Sequence, residues 1–193
     1  MGVGSDVWEI YREALPVLLV ALAGGLFAGL ILDGLAESVE RFPGLLVMVP
    51  VFLATRGSVY GALGGRIASG LHQGLIAPRF EWDDRLVNAV LASFVNGIGI
   101  SAVIGVITWL ALLVLGWESA HLVELVAIML VAGVLTSVVM IVGLLVVIFA
   151  GFRYGYDPDN LVGPIVTTLG DIFGMLFLLF SVALVGAVEV SAW

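Results

Sequence analysis

Leu15-Pro-Val-Leu-Leu-Val-Ala-Leu-Ala-Gly-Gly-Leu-Phe-Ala-Gly-Leu-Ile-Leu32 runs for 18 residues without a charge. At a rise of about 1.5 Å per residue, a helix of that length comes close to crossing the roughly 30 Å hydrocarbon layer of a bilayer. Apolar runs of similar or greater length recur at about 45–68, 86–115, 122–149 and 161–188. Hydrophobic residues make up 62% of the chain and charged ones 11%, against about 25% charged in an ordinary soluble domain. One soluble core cannot hide that much apolar surface, so the solvent is lipid. The runs do not alternate with period two, which disfavours a barrel. The expected fold is all-α: a single polytopic domain of about five transmembrane helices over residues 1–193. Residues 1–14 carry acids and no short apolar core with a cleavage context, so they read as an interfacial segment and not as a signal peptide.

Charge narrows the function. The net charge is −8, every basic residue is Arg, and Cys is absent. Acidic balance argues against nucleic acid and against a polybasic grip on anionic lipid. Without Cys, and with only His72 and His121, a soft-metal site is not expected, which leaves hard, oxygen-liking ions. Arg12, Arg66, Arg79, Arg85 and Arg153 fall on one side of the runs and Arg41 alone on the other. The positive-inside rule then sets the N-terminus in the cytoplasm and the C-terminus outside, as a multi-pass protein of the cell (plasma) membrane. HExxH, a Ser/His pairing and clustered catalytic carboxylates are missing from the runs, so the chain does not read as an enzyme.

Small residues recur at four-residue spacing: Gly25 and Gly29; Gly57, Gly61 and Gly65; Ser93, Gly97, Ser101 and Gly105; Gly170 and Gly174. Close helix packing explains most of them. A pore lined by backbone is the sharper alternative.

Asp171 stands ten residues into the last run, near the expected bilayer centre. A central Asp costs about 2.5 to 3.5 kcal/mol on insertion scales, so it requires a purpose or a partner. Thr167 and Thr168 flank it one turn back, and Pro164 lies a turn before them. Pro164 has no N–H, which frees the carbonyl of Asn160. A carboxylate, hydroxyls and a free carbonyl in file suit a hard cation. Mg²⁺ gives up its water reluctantly and is well served by a carboxylate that holds it through its hydration shell. The plainer alternative is a buried ion pair between Asp171 and Arg56. Asp157-Pro158-Asp159 is a good helix start, and Asp159 and Asn160 are equally placed to attract cations at the mouth. Pro50, Thr55, Arg56, Gly57 and Ser58 suggest a broken or kinked second span, of the kind that surrounds transport sites. Asn96 reads chiefly as an interhelical hydrogen bond, His72 as a solvated loop residue, and His121 between Glu118 and Glu124 as part of an outer vestibule.

Gly155-Tyr-Asp-Pro-Asp-Asn-Leu-Val-Gly-Pro-Ile-Val-Thr-Thr-Leu-Gly-Asp171 resembles the DPDN…P-x-VTTLGD signature of MgtE-type magnesium transporters, including solute carrier family 41. Val49-Pro-Val-Phe-Leu-Ala-Thr-Arg-Gly57 is similar to that family's second-helix motif, with Ser58 where an Asn is usual. The resemblance implies Mg²⁺ as the transported ion, a pore at a dimer interface and Asp171 as its central ligand. Thr167 and Thr168 are expected beside it, with Asn160 and Asp159 as candidate cation-attracting groups at the cytoplasmic mouth. Pro164, Gly170, Gly57, Ser58, Thr55 and Asn96 are the pore-lining candidates. It also implies a homodimer, or a heterodimer with a related half-size chain, embedded in membrane lipid. The family's cytosolic sensor and CBS domains have no counterpart in this five-helix unit, and their gating is not carried over. A Na⁺-coupled exchanger, a carrier of other divalent ions and a non-transporting membrane subunit are the alternatives.

Overall fold

The computed structural model describes residues 3–191, which are helical with short connections and no strand among them. In chain order the helices are α1 (Val3–Gly34), α2 (Ala36–Arg41), α3 (Leu45–His72), α4 (Asp84–Leu115), α5 (Leu122–Arg153) and α6 (Pro158–Ser191). By length and composition α3 to α6 can each cross a membrane, and Leu18–Gly34 of α1 is a shorter apolar helix. The chain is an all-helical, multi-pass membrane protein. Met1 and Gly2 of the expected interfacial segment lie outside the described residues, and from Val3 onward the chain is already part of α1, which continues through Pro16.

Local chemistry sets the helix ends. Asp83 caps α4, its Oδ1 accepting the N–H groups of Arg85 at 3.0 Å and Leu86 at 2.9 Å. Gly116 ends α4 in the left-handed region with φ 69°, where a Cβ would be strained, and Trp117 N–H then closes on the Leu112 carbonyl at 3.0 Å. Asp157 Oδ1 accepts the Asp159 N–H at 2.9 Å, just where Pro158 opens α6. His121 donates its N–H to Glu124 Oε2 at 2.9 Å at the start of α5, so Glu124 is occupied in capping. The second span is one continuous helix, so of the expected break or kink around Pro50 and Thr55–Ser58 the break is not formed. Pro50 is the sixth residue of α3, so the hydrogen bond it forfeits falls near an end where backbone pairing is already incomplete.

Two cross-ties fix one end of the bundle. Ala120 N–H reaches the Pro43 carbonyl at 2.9 Å, and Arg41 Nη2 donates to the Gly186 carbonyl at 2.7 Å. At the opposite end His72, on the last turn of α3, meets the start of α6. Helix α6 packs on α5, α3 and α1, while α5 also packs on α4. The core has two apolar clusters. One is built around Phe42, Met48, Phe52, Leu125 and Leu178, the other around Tyr60, Leu63, Ile67, Leu144 and Phe149. Buried Arg56, Ser101, Thr136 and Ser137 lie where the two clusters meet.

The small-residue stripes divide between two uses. Ser93, Gly97, Ser101 and Gly105 of α4 are all buried. A Cβ on Gly105 would come within 2.8 Å of Val126 Cα and 2.9 Å of Val126 N, so α4 and α5 meet there backbone to backbone. By contrast Gly57, Gly61 and Gly65 of α3 have open space where a side chain would go. We predict that Gly105→Ala lowers stability by about 1–3 kcal/mol, as overpacking does. Gly99→Ala, which meets nothing within 4 Å, should melt with the wild type. Thermal unfolding in micelles, followed by tryptophan fluorescence, distinguishes them.

Candidate functional site

Asp171 is half-buried on α6 and makes no hydrogen bond or ion pair among the described residues. Its surroundings follow from which way α6 turns its faces. A Cβ on Gly24 of α1 would lie 3.2 Å from Thr168 Cγ2, and a Cβ on Gly174 would lie 3.0 Å from Leu53 Cδ2 of α3. Gly143 of α5 faces Leu169 on the far side. Helices α1 and α3 therefore flank α6 while α5 backs it, and Asp171 looks out through the wedge between α1 and α3. At 100° per residue, Asn160, Pro164, Thr167 and Asp171 fall within an arc of about 60°. Asn160 and Thr167 are exposed on it, and Thr167 Oγ1 donates to the Gly163 carbonyl at 3.0 Å. This strip offers one carboxylate, a hydroxyl, an amide and the carbonyl that Pro164 frees.

The other candidates are distributed around this strip. Thr168 and Pro164 turn toward α1, where they line an apolar pocket of about 270 Å³ with Val20 and Val147. Gly170 faces inward, its Cβ position 3.6 Å from Arg56 Cβ. Gly57 is exposed on α3, about 40° round from Leu53 and on the edge of the Asp171 wedge. Thr55, Ser58 and Asn96 gather instead in a groove of about 610 Å³ between α3 and α4, together with Arg66. Asp159 lies about 18 Å along the axis from Asp171. There it joins Asp157 and His72: His72 Nε2 is 3.3 Å from Asp157 Oδ1 and 3.7 Å from Asp159 Oδ2. These three exposed side chains offer ligand atoms within 4.8 Å of one another. His72, expected in a loop, ends α3 instead.

Arg56 is the residue whose place the sequence did not reveal. It is 0% exposed. Its Nη2 donates to Ser101 Oγ at 2.7 Å and to the Gly97 carbonyl at 3.2 Å. The guanidinium carbon sits 4.4 Å from the centre of the Phe52 ring and 5.9 Å from that of Tyr60, both in cation–π range. Nε and Nη1 have no hydrogen-bond partner. The expected alternative of an Arg56–Asp171 pair is not formed among the described residues. Around Arg56 the layer is tightly bonded. Tyr60 OH donates to Ser137 Oγ at 2.6 Å, Ser137 to the Gly133 carbonyl at 2.6 Å, and Ser101 to the Gly97 carbonyl at 2.6 Å. Glycine is required at 97, where any Cβ would lie 2.5 Å from the Tyr60 hydroxyl and 2.7 Å from Ser137 Oγ. We predict that Tyr60→Phe costs about 0.6–1.7 kcal/mol, the measured range for interhelical hydrogen bonds in membranes, seen as a lower melting temperature with assembly retained.

Residues 49–181 match the model of the MgtE family, described as divalent cation transporters. Solute carrier family 41 member 3 of Rattus norvegicus is 28% identical over 180 residues, covering 86% of this chain and 37% of the rat protein. Solute carrier family 41 member 2 is 26% identical in Mus musculus and 25% in Homo sapiens, in each case over 86% of this chain and 30% of the relative. The chain thus spans about a third of the length of the curated relatives it matches.

Proposed function

This chain belongs to the MgtE family of divalent cation transporters, and from that premise we propose that it carries Mg²⁺ across the cell membrane between two copies related by a two-fold axis. The observation that carries this reading is Asp171: a carboxylate at membrane depth with no partner among the described residues, on a strip of α6 left open between α1 and α3. A lone Asp there is costly in lipid. A second chain laid over the wedge removes it from lipid, and a divalent ion shared by two Asp171 carboxylates balances both charges. The partner is a second copy or a related half-size chain.

Within the wedge Asp171 is the central ligand, Thr167 and the Asn160 carbonyl line the path toward the α6 start, and Gly57 bounds it on α3. Thr168 and Gly170 serve packing, since they face α1 and Arg56. Asp159 draws cations to the cytoplasmic mouth, with the N-terminus inside and the C-terminus outside. Oxygen-only ligands in an open wedge suit a cation that keeps part of its water, which is the manner of Mg²⁺.

Mg²⁺ influx into proteoliposomes loaded with a Mg²⁺-sensitive dye tests the reading. Asp171→Asn is expected to reduce flux to the protein-free background while its elution volume stays that of the wild type. Wild-type flux in Asp171→Asn would overturn the assignment. Loss of the assembled species in that variant would favour a structural role instead.

A further inference from the structure

Arg56 and Asp171 lie within the membrane-spanning bundle with opposite charges and, among the described residues, do not pair with each other. Arg56 packs its Cβ against Gly170, the residue next to Asp171, while its guanidinium turns away into the layer between α3, α4 and α5. It is fully buried, and Arg stays protonated in proteins. It donates to a hydroxyl and a carbonyl and lies over two aromatic rings, all neutral groups. No carboxylate among the described residues takes up its charge.

A bare buried cation is expensive, and stability alone would be better served by an apolar residue of similar size. Its field is what an apolar residue could not supply. From these observations, and resting on the reading of Asp171 as cation ligand, we infer that Arg56 is a fixed charge behind the site that weakens divalent-cation binding so that the ion can leave. Conduction needs a site strong enough to be entered and weak enough to be vacated. A positive charge in low-dielectric surroundings repels a divalent ion with twice the energy it imposes on a monovalent one. Two copies place two such charges behind two Asp171 carboxylates. The hydrogen bonds that Arg56 donates to Ser101 Oγ and to the Gly97 carbonyl hold the guanidinium back from the wedge, so it repels the ion without replacing it at the carboxylate.

The distinguishing signature is a split between affinity and rate. Arg56→Gln, which retains donors but no charge, is expected to lower half-saturating Mg²⁺ about tenfold and to lower maximal flux. Arg56→Lys, which retains the charge, should stay within about twofold of wild-type half-saturation, the field being preserved. A residue that merely supports the fold would lower flux in both variants without tightening either. Ser101→Asp supplies a separate route should Arg56→Gln fail to fold: it leaves Arg56 in place and gives it a carboxylate, and the same tightening is expected. Unchanged or weaker Mg²⁺ half-saturation in the folded neutralised variant overturns the inference. Asp171→Asn measured alongside separates the two claims. If that variant still transports, the reading of Asp171 fails. If it does not, and Arg56→Gln saturates like the wild type, only the role of Arg56 fails.

Discussion

A hydrocarbon interior offers no water to a buried polar group, so any that lacks a partner inside the protein is costly. That constraint is concentrated in one layer of this bundle. Arg56, Tyr60, Ser101 and Ser137 come from three helices and are joined through hydroxyls and backbone carbonyls, with apolar clusters above and below. The layer exists because α4 and α5 approach closely, and they can do so because Gly97, Gly105 and Gly133 carry no side chain. Filling Gly133 would drive an atom into Ser101. The small-residue stripe of α4 is therefore a condition for placing a charge in the core at all.

From that layer outward, α6 is held on three sides and free on the fourth. Its backing by α5 and flanking by α1 and α3 leave Asn160, Thr167 and Asp171 facing outward at successive levels. On α3 the same logic leaves Gly57, Gly61 and Gly65 without neighbours. Gly57, at the edge of the Asp171 wedge, leaves bare backbone that another protein surface can approach closely. The bundle thus keeps the Arg56 charge fully buried and leaves Asp171 half-buried on the open side of α6.

Much of this was legible in the sequence. Hydropathy and run length alone imply an all-helical, multi-pass chain, because lipid permits few alternatives. The Asp157-Pro158 helix start and the packing role of the Ser93–Gly105 stripe follow from local chemistry. Asp171 stands out because a lone acid at that depth is costly. What could not be read were relations between helices. Arg56 lies in a span beside Gly57 and Ser58, both exposed, and only the direction of its own side chain buries it. Pro50 suggested a break, yet its position in the second turn of α3 let the helix continue. Thr168 follows Thr167 directly, but a 100° rotation turns it to α1 and leaves Thr167 in the wedge. His72 and Asp157 are 85 residues apart, and only the docking of α3 on α6 brings them together.

The absence of Cys from the chain allows the most direct measurement: oxidative cross-linking of a single Thr167→Cys variant in native-like membranes. If two α6 strips face each other across a shared cation, this variant forms a disulfide-linked dimer, and Mg²⁺ changes the rate at which it does so. Val114→Cys, on an exposed stretch of α4, remains monomeric under the same conditions. Cross-linking at Val114 with none at Thr167, or at both positions equally and without regard to Mg²⁺, would contradict a cation path between paired α6 helices.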